Sequence, residues 1–135
     1  MNASNAPSGA DTTGGFHEEG GIAGTNASGG SVISPALPGN RSDTNLMPVN
    51  PSLNASMTNE TVSWHVHPGG RTASGDLQFV QSPSGRDQEV AAREHLDVPG
   101  VIHIVVGAGN KQVYFYNGSS TVLQMSLKKF MVGAQ

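Results

Sequence analysis

The run V-I-H-I-V-V-G at residues 101–107 limits most strongly what this chain of 135 residues can fold into. Apart from His103 and the closing glycine, the run consists of branched apolar residues. Such a run is typical of a β-strand that is covered on both faces. Hydrophobic residues make up only 36% of the chain, so we expect a single domain with one modest core, to which this strand belongs.

The segments around that run predict further strands and a helix. Apolar and β-branched residues predict strands at 16–24, 60–66 and 112–117. Between the first two, the Asn-, Ser-, Pro- and Gly-rich segment 25–60 predicts turns and extended surface chain, with a short strand at Val32 and Ile33. Segment 121–131 fits either a last strand or a short helix. The order of elements places the chain in the α/β or α+β class.

A helix is predicted directly after Ser84. Serine is a typical N-cap residue, and Asp87 three positions later can complete a capping box. Val90, Ala91 and Leu96 follow at helical spacing, and a Pro-Gly pair ends the pattern.

Composition excludes several classes of function. The net charge is −3 and no dense Lys/Arg cluster occurs, which argues against nucleic acid as a partner. Cysteine is absent, so disulfides, thiolate nucleophiles and cysteine zinc sites are excluded. No apolar run is long enough for a membrane-spanning helix. Residues 1–15 lack the features of a signal peptide, and we expect them to form a flexible N-terminal lead.

Two histidines stand one residue apart at the predicted end of the 60–66 strand. Residues i and i+2 of a strand point to the same side, so His65 and His67 present two imidazoles together. A catalytic zinc ion takes three protein ligands, and without cysteine the third must offer oxygen or nitrogen. Asp87 is the leading candidate, and Asp76 in the loop 69–83 is a rival. The alternative is a pair of exposed histidines and a helix-start carboxylate stabilised by the helix dipole.

Hydrolysis by such a site also needs a general base, which is usually a glutamate. Glu18 and Glu19 lie on the predicted first strand, and alternation means that only one of them faces inward. His17 alternates away from Glu18 and is expected either at the surface or behind the ligands, not as a ligand itself. His103 is expected to be a hydrogen-bonded core histidine, and Trp64 to pack in the core.

Together these segments resemble the JAB/MPN (JAMM) metallopeptidases. That family carries a glutamate on an early strand, then His-x-His-Pro, then Ser-x-x-Asp. Here the three elements read E-E-G-G at 18–21, H-V-H-P at 65–68 and S-G-R-D at 84–87. The resemblance covers residues 16–117 and implies a mixed β-sheet flanked by helices, similar to the cytidine deaminases.

The resemblance also implies roles for particular residues. His65, His67 and Asp87 would bind Zn²⁺, and Glu18, with Glu19 as the fallback, would activate the attacking water and protonate the leaving amine. Ser84 would hydrogen-bond the water or the developing oxyanion. The implied activity is that of a zinc-dependent peptidase or isopeptidase with a protein or peptide substrate.

The segment 68–86 is longer than in the familiar deubiquitinating members of the family. A long loop followed by Q-x-P-S-x-x-D at 81–87 and V-Y-F-Y-N at 113–117 resembles the JAB-like toxin domains at the C-terminal ends of Rhs-type polymorphic toxins. That subgroup implies a domain at 16–135 that is secreted or delivered into a target cell as part of a larger bacterial toxin. It also implies an immunity protein as partner.

Two other functions remain open from the sequence. One is an interaction module with the JAB/MPN fold and no catalytic activity, as in family members that have lost their ligands. The other is a zinc hydrolase of a non-peptide amide, although the absence of a Cys-x-x-Cys element disfavours a deaminase.

Overall fold

The computed structural model describes residues 16, 18–36 and 56–133, and this part of the chain forms one mixed six-stranded sheet with two helices. The strands are β1 (Glu19–Thr25), β2 (Ser31–Pro35), β3 (Asn59–His67), β4 (Ile102–Gly107), β5 (Gln112–Tyr116) and β6 (Thr121–Ser126). The helices are α1 (Gly85–Asp97) and α2 (Leu127–Gly133). This is an arrangement of the α+β class. The predicted lead 1–15, His17 and segment 37–55 lie outside the described residues.

The strand order is β2-β1-β3-β4-β5-β6, and only β3 and β4 run parallel. Parallel neighbours need a crossover connection, which α1 supplies here. A crossover leaves from the carboxyl end of one strand, so the end of β3 and the start of α1 meet at one edge of the sheet. None of the helices in the described ranges is long and apolar enough to cross a membrane.

The core lies between α1 and one face of the sheet. Ala91 of α1 packs in a buried cluster with Val105, Tyr114 and Tyr116. His65, Val105 and Tyr114 are register partners across β3, β4 and β5, so their side chains share this face. The helix therefore covers the same face that carries His65.

The second face is covered less completely by the described residues. Phe130 of α2 lies against Phe115, with the ring centroids 6.1 Å apart. Ile102, at the start of β4, is 50% exposed, and Trp64 is half-buried. The prediction that β4 is covered on both faces therefore holds for Ile104 and Val105, which point to opposite faces and are both buried, but is wrong for the strand's first residue.

Segment 121–131 combines both predicted alternatives. It runs as β6 up to Ser126 and then continues as α2 from Leu127. The Ser126 hydroxyl accepts a hydrogen bond from the Lys129 backbone N–H at 3.2 Å. This contact resembles the capping that serine supplies at a helix start, which explains the change from strand to helix at this residue.

Candidate metal centre

Four chemically active side chains meet where β3 ends and α1 begins. His65 and His67 come from β3, Asp87 from the first turn of α1, and Glu18 from the residue before β1. Glu18, His65 and His67 are 7%, 3% and 4% exposed. The structure thus brings together the three side chains predicted as ligands and the glutamate predicted as base.

The ligand atoms of this group are close to one another. The two imidazole Nε2 atoms of His65 and His67 are 3.1 Å apart. Asp87 places Oδ1 3.2 Å from the first and Oδ2 3.4 Å from the second. Glu18 Oε1 lies 3.6 Å from Nε2 of His67. Candidate ligand atoms of Glu18, His65 and His67 all lie within 4.8 Å of one another, which is close enough to bind a metal ion.

Strand register selects Glu18 over its neighbour. In the antiparallel pair of β1 and β3, Glu19 is the partner of Val66, so Glu19 shares the face of Val66 and points away from the two histidines. Glu18 stands one residue earlier, at the level of His67, and points to the opposite side. Alternation therefore places one carboxylate of the pair at the site and the other outside it.

The start of α1 fixes Asp87. The Ser84 hydroxyl accepts a hydrogen bond from the Asp87 backbone N–H at 3.2 Å, and the Ser84 backbone N–H donates to Asp87 Oδ2 at 2.5 Å. The predicted capping box is therefore confirmed. In the bond from the Asp87 N–H, the Ser84 oxygen is the acceptor, so the Ser84 O–H proton can still be donated. Ser84 can therefore cap the helix and also contact a ligand.

The electrostatics of the group keep Asp87 ionised. Burial raises the pKa of the Asp87 carboxyl, but hydrogen bonds from His65, His67 and Ser84 outweigh burial and hold the pKa well below its usual range. Burial lowers the pKa of His67, but the hydrogen bond with Asp87 and the charge of Glu18 outweigh it and raise this pKa. The ionised Asp87 carboxylate therefore favours the protonated form of the His67 imidazole.

The donor spacing fits a small divalent ion. A tetrahedral zinc ion with ligand bonds of about 2.0–2.2 Å separates its ligand atoms by about 3.3–3.6 Å. The two histidine Nε2 atoms, 3.1 Å apart, lie close to that range, and each of them has a different Asp87 oxygen at a similar distance, Oδ1 at 3.2 Å and Oδ2 at 3.4 Å. Imidazole nitrogen with carboxylate oxygen is also a donor set that zinc accepts. The residues present therefore fit a metal ion of this class.

Tyr116 supports the site from β5. Its ring meets the His65 ring edge-on, with centroids 6.3 Å apart at 89°, and lies 5.5 Å from the His103 ring. Burial raises the pKa of Tyr116 far above its usual range, reinforced by the charge of Asp87, so the phenol stays neutral. Tyr116 could not be assigned to the site from the sequence, because its contact with His65 depends on the pairing of three strands.

A second polar cluster lies further along the same face. His103 is 5% exposed, as predicted for a core histidine, and its Nδ1 lies 3.3 Å from Glu94 Oε2. Burial, together with the charge and hydrogen bond of Glu94, raises the pKa of Glu60 to about 7. The Glu60 carboxyl therefore keeps its proton up to near neutral pH. The sequence did not indicate this pair. Glu60 lies on β3 and Glu94 on α1, and these elements become neighbours only when the chain folds.

The other predicted candidates lie away from the group. His95 is exposed on α1. Asp76, the rival third ligand, is exposed in the loop after β3, where Ser74 Oγ donates to its carboxylate at 2.7 Å. It acts as a turn residue, which was the simpler of its two interpretations.

Comparison of the chain with protein-family models, with curated proteins and with solved structures finds no match. The functional conclusion therefore depends on the residues of the site and their geometry.

Proposed function

We propose that this chain is a zinc-dependent peptidase or isopeptidase of the JAB/MPN (JAMM) type. The observation that carries the proposal is the convergence of His65, His67, Asp87 and Glu18 at the junction of β3 and α1. Each of these residues comes from one of the three sequence elements that resemble the family signature. The alternative was a pair of exposed histidines at a strand end. His65 and His67 are instead buried, beside two carboxylates.

In this proposal His65, His67 and Asp87 hold the ion. Bound zinc polarises a carbonyl as a Lewis acid and lowers the pKa of a coordinated water to about 7. The capping box orients Asp87 before the ion arrives, and Tyr116 holds the ring of His65. Ligands that are already oriented lose less conformational freedom on binding, which favours affinity.

Glu18 acts as the general base and acid. Its carboxylate takes a proton from the attacking water and delivers that proton to the nitrogen of the leaving amine. A C–O bond forms and the C–N bond of the amide breaks. Ser84 donates its O–H to the carbonyl oxygen as negative charge develops there.

The bacterial toxin context is part of the same proposal. The loop 69–83 precedes Q-x-P-S-x-x-D at 81–87, and this order resembles the JAB-like domains of Rhs-type toxins. The domain at 16–135 is then the effector part of a larger delivered protein, and an immunity protein is its expected partner.

Metal content is the first test. Purified wild-type protein is expected to hold one zinc ion per chain, and His67→Ala and Asp87→Ala are expected to lose it. His95→Ala serves as the matched control, because His95 is an exposed histidine on α1. Absence of zinc from the wild type, even after zinc is added back, would overturn the metallopeptidase proposal.

Zinc binding then justifies a screen with fluorogenic peptides and lysine-linked isopeptides. Hydrolysis that disappears on chelation and returns with zinc would support the proposed reaction. A zinc-loaded protein that cleaves none of them would favour an interaction module or a hydrolase of non-peptide amides.

A further inference from the structure

We infer that Gln81 is a positioning residue, which fixes the end of β3 against the start of α1 and so sets the spacing of the metal ligands. The inference rests on the proposed function, because its consequence is measured as zinc affinity. The side-chain hydrogen bonds of Gln81 go to backbone atoms and not to the ligand side chains, so Gln81 is assigned no part in the chemistry.

Three hydrogen bonds define the position of Gln81. Its side chain is buried, with 6% of the residue exposed. Nε2 donates to the carbonyl oxygen of Pro68 at 3.0 Å and to that of Phe79 at 2.9 Å. Oε1 accepts from the backbone N–H of Gly109 at 2.6 Å. Both ends of the amide are therefore used, and one side chain joins three separate backbone segments.

The segments that Gln81 joins are those that carry the site. Pro68 directly follows the ligand His67, and Gln81 stands three residues before the helix cap Ser84. The bond to Pro68 thus closes the loop 69–83 at its base. Gly109 belongs to the turn after β4, where the Ala108 backbone N–H donates to the carbonyl oxygen of His67 at 3.0 Å.

Close backbone packing surrounds this amide. A Cβ on Gly109 would lie 2.9 Å from Gln81 Oε1, and a Cβ on Gly69 would lie 3.0 Å from the Gly109 nitrogen. The loop, the strand end and the turn therefore approach more closely than side chains would allow. Loss of the amide would leave the buried Pro68 carbonyl and Gly109 N–H without their partner, and the segments would move to reach water.

The effect on zinc follows from preorganisation. Free energy spent on aligning His67 with Asp87 is subtracted from the binding free energy. Residues that orient ligands from behind typically change metal affinity by about 10- to 100-fold when they are removed. Gln81 acts less directly, through the backbone on both sides of the loop that separates these two ligands, so we expect an effect at the lower end of that range.

Gln81→Met tests the inference, because methionine keeps the length of the side chain and removes its hydrogen bonds. Zinc affinity is measured by competition with a chelating indicator, and amide hydrogen exchange is measured on the metal-free proteins. We expect zinc affinity to fall about 10-fold, with faster exchange at Ala108 and Gly109. Gln78→Met, which alters an exposed glutamine of the same loop, is expected to change neither.

A second variant covers the case in which Gln81→Met does not fold. Gln81→Asn keeps a buried amide that is one methylene too short to reach both Pro68 and Gly109, so a smaller loss of affinity is expected. Unchanged zinc affinity and unchanged Ala108 protection in a folded variant would overturn the inference. Failure of the proposed function looks different, because the wild type itself would then bind no zinc, and the inference would fall with it.

Discussion

Asp87 Oδ1 lies 3.2 Å from Nε2 of His65, although a helix carries the first residue and a strand the second. The capping box holds Asp87 from one side and the two imidazoles hold it from the other. One carboxylate therefore serves the helix start and the candidate metal centre at the same time.

Asp87→Asn separates these two functions. An asparagine side chain still offers an oxygen to the Ser84 N–H but carries no charge, so helix α1 is expected to form. Zinc affinity is expected to fall by at least about 100-fold, since a ligand is changed rather than a residue behind it. Far-ultraviolet circular dichroism checks the helix, and chelator competition checks the metal. Asp97→Asn, at the exposed last residue of α1, is the control that should retain wild-type affinity.

Glu18→Gln is expected to leave zinc bound and to remove hydrolysis. Loss of a general base typically costs about 10²- to 10⁴-fold in rate, while three ligands remain for the ion. Glu19→Gln is the matched control, because Glu19 shares the face of Val66. Zinc content and cleavage rate are measured on both variants. Loss of zinc in Glu18→Gln would show that Glu18 is itself a ligand.

Ser84→Ala is expected to destabilise the metal-free protein by about 1 kcal/mol, because the Asp87 N–H loses its acceptor at the N-cap. Denaturant unfolding measures the change. Ser82→Ala, two residues earlier in the same loop, should leave stability close to the wild-type value. Equal stability of both variants with the wild type would argue against the capping contact.

The Glu60–Glu94 pair predicts a pH dependence of stability. Burial and Glu94 raise the pKa of Glu60 from 4.5 to about 7. The folded state therefore keeps a proton that the unfolded state releases, and the stabilisation is complete below pH 4.5 and lost as pH rises to about 7.

Glu60→Gln isolates this contribution, because glutamine stays neutral at every pH. Melting temperatures of metal-free wild type and variant are compared between pH 4.5 and 8. The variant is expected to gain stability relative to the wild type as pH rises across that interval. A constant difference between the two proteins would refute a raised pKa for Glu60.

Much of the fold could be predicted because its signals are local. Alternation placed His65 and His67 on one side of a strand, and serine with aspartate three residues later marked the start of α1. Each of these signals depends on a few neighbouring residues, whose backbone geometry follows from their own side chains.

Other parts could not be predicted, because they depend on which segments pair. The choice of Glu18 over Glu19 needed the register of β1 on β3. The contact of Tyr116 with His65 needed β4 between their strands.

The sequence by itself therefore determined which side chains could bind a metal ion and on what kind of element each would lie. Only the tertiary structure decided that Glu18, His65, His67 and Asp87 lie together, and that Gln81 joins the strand end to the loop before the helix. The physical reason is that propensity and alternation act over a few residues, whereas strand register and the crossover helix bring together residues that are far apart in the chain.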